Sequence, residues 1–193
     1  MSLIRTNFWI FLLVSLTASP VFGACDYMSR IRKFLPVSAI SETQFKKGAK
    51  FSSSSDELAK RVGGFLSGEN LYLFSDGTYI YTEWADIMSE TIYDKGSWIF
   101  SKGCIFLKSG PEITWQTRNP KTLVALRRNS VVGEVFLLGV GRNLSYFESH
   151  ANNDPEFMLL ITAWKRVETL VGNSKEVKLM SKSWNPSFFE KNR

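Results

Sequence analysis

LYLFSDGTYIYTEW, residues 71–84, holds two runs of aromatic and aliphatic residues on either side of an Asp-Gly pair. Such runs are typical of β-strands. An Asp-Gly pair between them suits a two-residue hairpin turn, because both positions of that turn need a positive φ. The stretch therefore predicts a β-hairpin that turns at Asp76-Gly77.

The predicted turn decides which side chains of the hairpin face each other. In this register the aromatic residues form two cross-strand pairs on one face, Phe74 with Tyr79 and Tyr72 with Tyr81. Together with Trp84, these rings are the candidate contacts for a ligand or a protein partner. They offer a stacking platform for a flat ligand such as a sugar, but ordinary cross-strand packing, at about 0.2–1 kcal/mol per pair, is the preferred interpretation.

The strand pattern continues through residues 65–140, where short apolar runs are separated by Gly, Asp, Asn and Lys. This spacing is typical of successive antiparallel strands with short connections. Glycines in Asp94-Lys95-Gly96 and in Lys102-Gly103 mark two further bends. The predicted strands are 70–75, 78–84, 91–101, 104–108, 113–117, 122–127 and 134–140.

Two short motifs in this region resemble those of a known family. Phe74-Ser75-Asp76-Gly77-Thr78 and Gly96-Ser97-Trp98 are similar to motifs of the lipocalin-like small barrels found in many exported bacterial proteins. The resemblance covers residues 65–110 and implies an architecture, not an activity. The predicted fold class is therefore mainly β, a lipocalin-like antiparallel β-barrel or meander, with added helices.

Helices are predicted on both sides of the strands. Asp154-Pro155-Glu156 supplies a cap, a first-turn proline and an acid near the positive end of a helix. Apolar residues then recur at helical spacing, which predicts a C-terminal helix over 155–171. The apolar run 157–161 is also compatible with a buried strand. Shorter helices are predicted near 56–63 and near 174–182.

The first 24 residues have the features of a secretory signal peptide. Arg5 precedes an apolar stretch, residues 8–16, and small residues follow it. The apolar stretch is too short to cross a bilayer, which takes about 20 residues. The predicted organisation is a signal peptide over 1–24, a basic arm over 25–50, and a single β-rich domain over 51–193 whose C-terminal segment is helical.

Two cysteines allow more than one outcome after export. Phe22-Gly23-Ala24-Cys25 resembles the lipobox of bacterial lipoproteins, in which the cysteine is acylated, so Cys25 is a candidate lipidation site. A disulfide between Cys25 and Cys104 is the alternative, because an oxidising compartment permits it. Cys104 also lies in an apolar run where a free thiol packs well. The sequence leaves these alternatives open.

Basic residues concentrate near the two ends of the chain, whose net charge is +6 at pH 7. If Cys25 is lipidated, Arg30, Arg32 and Lys33 would lie close to anionic lipid headgroups. A solvated, solubilising terminus is the simpler interpretation. We do not expect nucleic-acid binding, because the basic residues form no stripe interleaved with aromatic residues.

Side chains that could carry catalysis or bind a metal are sparse. Glu83, Asp86, Glu90 and Asp94 cluster between two predicted strands, and two such acids on a rim can serve glycoside hydrolysis, although a solvated loop is the preferred interpretation. His150 is the only histidine, whereas zinc sites usually draw on several His or Cys ligands. We therefore predict no catalytic residues, no metal and no cofactor.

Together these features predict a non-catalytic exported protein of the cell envelope that binds a small ligand or a protein partner. It would lie in the periplasm or be anchored to a membrane through Cys25. A structural or accessory envelope subunit, whose aromatic face is covered by another chain, is the first alternative. A carboxylate-dependent glycoside hydrolase acting on the cell wall is the second.

Overall fold

Nine β-strands and three short α-helices make up the part of the chain that the computed structural model describes, residues 26–53, 67–85, 88–111, 120–131 and 133–172. The strands are β1 Val37–Ala39, β2 Ala49–Ser53, β3 Ser67–Leu73, β4 Thr78–Ala85, β5 Met88–Ser101, β6 Cys104–Ser109, β7 Thr122–Arg128, β8 Val135–Gly139 and β9 Ala163–Glu168. The helices are α1 Tyr27–Arg32, α2 Arg142–His150 and α3 Pro155–Thr162, with a 3-10 helix at Glu42–Phe45.

Eight of these strands, β2 to β9, form a closed barrel. Each strand is antiparallel to the next one along the chain, and β9 pairs with β2 to complete the ring, with Ser53 opposite Trp164. The short strand β1 pairs with β7, beyond the part of β7 that pairs with β6. Because the ring is closed, its strands pair on both sides. The predicted antiparallel β-barrel is confirmed.

Alternate residues of each strand build two apolar layers. Leu123 and Leu137 lie in the cluster that fills the barrel. Their sequence neighbours Val124 and Leu138 lie in a second cluster, on the outer face, because successive side chains of a strand point to opposite sides. The helices cover this outer face with buried side chains such as Ile31, Phe147 and Leu159.

Aromatic rings fill one end of the barrel. Phe45 comes from the 3-10 helix that precedes β2 and is buried in the interior cluster. Its ring centroid lies 6.2 Å from that of Phe51, 6.0 Å from that of Trp98 and 5.5 Å from that of Phe100. The end of the barrel at which β2 begins is therefore plugged by packed rings.

The hairpin that suggested the fold turns differently from the prediction. Phe74 N–H donates to the Thr78 carbonyl at 2.9 Å, and Gly77 N–H donates to the Phe74 carbonyl at 3.1 Å, so the loop has three residues, 75–77. Gly77 has φ +82°, and Asp76 is not among the described residues with positive φ. The Asp76 carboxylate accepts instead from the Thr78 backbone N–H and hydroxyl.

The longer loop shifts the register of β3 and β4 by one residue. Leu71 pairs with Tyr81, and Tyr72 pairs with Ile80. The predicted pairing of Tyr72 with Tyr81 and of Phe74 with Tyr79 is therefore wrong. A shift of one residue moves a side chain to the other face of the sheet, so the four rings do not share a face.

The two other predicted bends have different outcomes. Lys102 and Gly103, at φ +50° and +85°, form a tight turn between Ser101 and Cys104, which confirms that bend. The bend predicted at 94–96 is absent, since β5 continues through it with a register shift against β4. Gly96 has a packing role there: a Cβ on it would lie 2.0 Å from the Lys108 carbonyl oxygen.

The helix predicted over 155–171 ends at Thr162. Asp154 caps it as expected, because its carboxylate accepts from the Phe157 backbone N–H at 2.9 Å. The chain then becomes extended at Ala163 and continues as β9. This segment pairs with both β8 and β2. Such tertiary pairing stabilises the strand and overrides the helical spacing of its apolar residues.

Residues 26–53 contain structure to which the sequence pattern assigned none. α1 and β1 contribute buried apolar side chains to the outer cluster, Ile31 and Val37 among them. In β2, Ala49 and Phe51 face the barrel interior between the polar residues Lys50 and Ser52. Only two apolar residues mark this strand, which is too few for its alternation to stand out.

Other predictions fall on residues that the structure does not describe. They are the signal peptide over 1–24, the helices near 56–63 and 174–182, and the strand over 113–117. Among the described helices, none has the length and apolar character needed to span a membrane.

Candidate functional site

The five rings proposed as one contact surface lie on two faces of the sheet. Tyr79 and Tyr81 belong to the barrel interior. Tyr72 and Phe74 form a small outer cluster with Ile80. Trp84 is partly exposed and covers Gly68, where an added Cβ would lie 2.6 Å from the indole ring. The predicted single platform is therefore not formed.

The outer rings are covered by other parts of the same chain. The Tyr72 and Phe74 rings are nearly parallel, with centroids 6.5 Å apart. The Lys50 ammonium lies 5.1 Å from the Tyr72 ring centroid, and Leu170 packs against the same cluster. Cation–π contact and apolar burial of this kind stabilise the sheet and leave the Tyr72 ring only 3% exposed.

A buried carboxylate on the same outer face ties three strands together. One oxygen of Glu90 accepts hydrogen bonds from Asn70 at 2.8 Å, from the Tyr72 hydroxyl at 2.6 Å and from Thr82 at 2.5 Å. Burial, followed by the bond to Glu90, raises the pKa of Tyr72, so the phenol stays a donor. Satisfied by these donors, Glu90 has a structural role.

Two glutamates face each other directly inside the barrel. Glu69 of β3 pairs with Glu83 of β4, two residues along each strand from the interior pair Leu71 and Tyr81. The Tyr81 hydroxyl donates to Glu83 at 3.1 Å. We call Glu69 and Glu83 the glutamate pair.

Desolvation affects the ionisation of Glu69 and of the neighbouring Tyr81. Burial raises the pKa of Glu69; the Tyr81 hydroxyl opposes that effect, and the charge of Glu83 adds to it. Burial and both glutamates also raise the pKa of Tyr81. Glu69 and Tyr81 therefore favour their protonated forms more than they would in water.

Trp164 completes this part of the site. Its side chain is 2% exposed and lies in the interior cluster. Its indole N–H points towards Glu69 and, as a hydrogen-bond donor, acts to lower the pKa of that carboxyl. Trp164 therefore belongs to the same group of polar contacts as the glutamate pair.

An ion pair with two further donors lies beside the glutamate pair. Asp94, opposite Tyr81 in the sheet, accepts from Tyr79 at 2.8 Å, from Ser109 at 2.9 Å and from the Lys121 ammonium at 2.8 Å. Burial acts to raise the pKa of Asp94, but these three donors outweigh it and leave the pKa lowered. Asp94 is therefore ionised and held in a fixed position.

These groups share the end of the barrel opposite Phe45. β2 begins beside Phe45 and ends at Ser53, which is opposite Trp164, and Glu69 lies near the start of the next strand. The connections between strands at this end include residues 54–66, 86–87 and 112–119, which lie outside the described part of the chain. We call the following residues the mouth cluster: Glu69, Tyr79, Tyr81, Glu83, Asp94, Ser109, Lys121 and Trp164.

The predicted acidic cluster is divided by the sheet. Glu83 faces the interior and Glu90 faces the outside of the barrel, so the two carboxyl groups cannot lie on either side of one glycosidic bond. Asp94 joins the mouth cluster, and Asp86 is outside the described residues. Glu69 was missed, although the correct hairpin register alone would have placed it opposite Glu83.

The cysteines and the basic residues near the N-terminus are the next predicted site residues. Cys104 is buried and disulfide-bonded, while the chain's only other cysteine, Cys25, lies outside the described residues. Arg30 forms an ion pair with Glu148, and Arg32 donates to the Val37 carbonyl at 3.1 Å. Both arginines therefore have partners within the chain; membrane contact through them and Lys33 stays a prediction.

His150 lies on the surface at the end of α2. Its ring stacks on Tyr146 with centroids 4.2 Å apart, and Nδ1 lies 2.8 Å from the Ser149 hydroxyl. Within the described ranges, no three His, Cys, Asp or Glu side chains are arranged to hold a metal ion. These contacts make His150 part of the helix end.

Comparisons with family models, with curated proteins and with solved structures find no match for this chain. The chemistry of the site follows from its own side chains. The mouth cluster offers carboxylates that accept hydrogen bonds, an indole N–H that points towards Glu69, and the Lys121 ammonium group. Such a set can orient a small polar molecule.

Proposed function

We propose that this protein is a non-catalytic, exported protein of the cell envelope that binds a small ligand at the polar end of its barrel. The mouth cluster is the observation that carries the proposal. Ionisable groups inside a barrel cost free energy unless they are paired, and apolar residues of similar volume would stabilise the fold at least as well. Their concentration at the end of the barrel opposite Phe45 supports a binding role.

The outer face of the hairpin supports ligand binding over the accessory-subunit alternative. Tyr72, Phe74 and Ile80 would be the surface that such a subunit presents to another chain. They are already buried by this chain, each no more than 5% exposed. An interaction surface of apolar residues would instead be expected to be exposed in the free protein.

The positions of Glu83 and Glu90 do not favour the hydrolase alternative. Glycoside hydrolysis needs two carboxylates on either side of one bond, about 5 to 9.5 Å apart. Glu83 and Glu90 lie on opposite faces of the sheet. Glu83 and Asp94 of the mouth cluster are proposed to bind rather than to cleave, because side-chain donors of the same cluster already hold both carboxylates.

We also propose that Cys104 is paired with Cys25 and that the protein is exported to an oxidising compartment. Cys104 is disulfide-bonded, and the chain has one other cysteine. Disulfides persist in exported proteins and are rare in the cytosol, which supports export. A cysteine in a disulfide cannot carry a thioether-linked lipid, so this pairing replaces lipidation at Cys25. The intact mass of the mature protein should then lack diacylglycerol and be two hydrogens below that of the reduced chain.

The binding proposal is tested by following the mouth cluster during addition of small molecules. The mature protein is labelled with nitrogen-15, and the Trp164 indole resonance is identified with Trp164→Phe. Compounds from four classes are added separately: neutral sugars, diamines, fatty acids and nucleosides. Saturable movement of the Trp164 resonance by any class supports the proposal. If no class moves it, the mouth is not a binding site and the proposed function is wrong.

A further inference from the structure

Two arginines lie on the inner side of the sheet at the plugged end of the barrel. Arg127 of β7 lies opposite Val135. Arg166 of β9 lies opposite Phe51. Val135 and Phe51 belong to the interior cluster, and residues directly opposite in a sheet share a face. We call Arg127 and Arg166 the arginine pair.

Only one strand, β8, separates the two arginines. Phe136 of β8 pairs with Lys165, so the preceding residue, Val135, falls between Arg127 and Arg166. Neighbouring strands lie about 4.8 Å apart, which puts the two backbones roughly 10 Å apart. The long side chain of arginine can carry each guanidinium group across half of that distance. Both groups can therefore reach a single ligand group.

Arg127 has no acidic partner among the described residues. The next residue, Arg128, faces outwards and forms ion pairs with Glu134 and Glu156. By contrast, Arg127 Nε is buried without an acceptor, and no described residue accepts from its terminal nitrogens. The Arg127 side chain is partly exposed, so a ligand can reach those terminal nitrogens. The acids of this region thus neutralise the outer arginine and leave the inner one charged.

Arg166 also lacks a carboxylate partner in the described part of the chain. Its terminal nitrogens donate to the Gln44 carbonyl at 3.4 Å and to the Thr169 hydroxyl at 3.2 Å. Both acceptors are neutral, so the charge of Arg166 is not compensated. Two like charges on one face disfavour each other, and an anion between them would therefore stabilise the folded protein.

The surroundings of the arginine pair add further donors and positive charge. Ser38 of β1 lies opposite Arg127 and places a hydroxyl on the same face. Lys46 and Lys47, which follow the 3-10 helix, are exposed, whereas Glu42 is the one acid of that helix. An anion that approaches the plugged end therefore meets a net positive surface.

The charge and the donors of the pair favour a phosphate monoester over other anions. A guanidinium group presents parallel N–H donors that match the oxygens of a carboxylate or a phosphate. A carboxylate carries one negative charge and would leave one arginine uncompensated. A phosphate monoester carries about 1.5 to 2 negative charges at pH 7, and its three terminal oxygens are enough to accept from both arginines.

We propose that Arg127 and Arg166 bind a phosphate monoester at the plugged end of the barrel, with at least one phosphate oxygen accepting from each guanidinium group. Soluble phosphate esters and the headgroup of phosphatidic acid both carry this group. The site lies at the end opposite the mouth cluster, so it is independent of the ligand site proposed there.

Isothermal titration calorimetry of the mature protein tests the site with two kinds of probe. Glycerol 3-phosphate is the soluble probe, and vesicles of phosphatidylcholine with and without phosphatidic acid are the lipid probe. Arg127→Gln removes one charge and its paired donors, so it should weaken binding about tenfold. Arg142→Gln, at the exposed start of α2, removes the same charge elsewhere and should leave the affinity unchanged.

The two probes and the two variants separate the possible results. Binding of glycerol 3-phosphate that Arg127→Gln weakens and Arg142→Gln does not supports a soluble ester as the ligand. Binding only of vesicles that contain phosphatidic acid, with the same dependence on Arg127, supports the lipid headgroup. Absence of binding by both probes, or equal weakening by both variants, contradicts the inference.

A measurement on the wild-type protein replaces the variant if Arg127→Gln does not fold. The Nε–H resonance of Arg127 in nitrogen-15-labelled protein should move as either probe is added and should stop moving at saturation. A resonance that neither probe moves contradicts the inference.

Discussion

At the scale of single residues, Gly77 decides which tyrosines enter the barrel. Its φ of +82° closes a three-residue loop, and that loop places Tyr79 and Tyr81, rather than Tyr72, on the inner face. A residue with a Cβ is strained at this φ by roughly 1–2 kcal/mol. Asparagine tolerates this backbone region better than most residues do.

We therefore expect Gly77→Ala to lower the free energy of unfolding by about 1–2 kcal/mol, and Gly77→Asn to lower it less. Urea denaturation of both variants checks this difference. Equal losses for alanine and asparagine would mean that the positive φ is not what the position requires.

A second prediction at the residue scale concerns Glu69. Its pKa is raised in the folded protein, mainly by burial. The folded state therefore gains stability from the protonated form below the ordinary glutamate pKa of 4.5, and that gain is lost as the pH rises through the folded pKa. Glutamine resembles the protonated form and does not ionise.

Glu69→Gln should thus raise the melting temperature at neutral pH, and the increase should shrink below pH 4.5. Thermal unfolding followed by circular dichroism at both pH values measures this change. An increase of the same size at both values, or a decrease at neutral pH, would show that desolvation does not raise the pKa of Glu69.

At the scale of elements, the plug formed by Phe45 can be tested apart from the mouth. Phe45 is 1% exposed and packs on three rings. Removing its ring leaves a cavity, so Phe45→Ala should lower the free energy of unfolding by about 3–5 kcal/mol. Tyr146→Ala, which removes a half-exposed ring from α2, is the control and should cost much less.

The two ends of the barrel should also respond independently. Urea denaturation gives the stability change, and carbon-13 resonances of the Glu69 carboxyl report the mouth cluster. Phe45→Ala should leave the midpoint of the Glu69 titration unchanged. If the variant shifts that midpoint, the plug and the mouth are not separate parts of the fold.

The elements also explain where prediction from sequence succeeds and where it fails. Strands with dense apolar residues, such as β4 and β7, are predicted close to their observed limits. β2 was missed because only Ala49 and Phe51 mark its inner face. The sequence predicts the end of a helix where β9 lies, because local spacing cannot reveal that β2 and β8 are available to pair with this segment.

The candidate site also divides into residues that a local sequence pattern reveals and residues that only long-range strand pairing brings together. Tyr79 and Tyr81 were identified from the hairpin, but Glu69 and Trp164 were not placed with them. Trp164 follows a helix by two residues and reaches the mouth only because β9 closes the ring. Such long-range pairing is not visible in local sequence patterns, so half of the site required the structure.

At the scale of the whole molecule, the proposed disulfide connects residues before α1 to β6. Cys104 lies in the outer cluster with Met28 and Ile31 of α1. A bridge to Cys25 closes a long loop, and removing such a bridge costs about 2–5 kcal/mol. Cys104→Ser and Cys25→Ser should therefore lower the melting temperature by similar amounts, and the double variant should lose little more than either.

Thermal unfolding of the three variants measures this non-additivity. Cys104→Ser also places a hydroxyl in an apolar cluster, so Cys25→Ser is the decisive single variant. An unchanged melting temperature for Cys25→Ser would contradict the pairing with Cys104.

Closure of the barrel in the observed register is the claim on which the site depends. Backbone nuclear Overhauser contacts across the strands test it most directly, because they report pairing without any substitution. We predict contacts between Ser53 and Trp164, which close the ring, and between Leu71 and Tyr81, which bring the interior tyrosine to the mouth. A contact pattern that places Tyr72, rather than Leu71, directly opposite Tyr81, or no contacts between β2 and β9, would contradict the account.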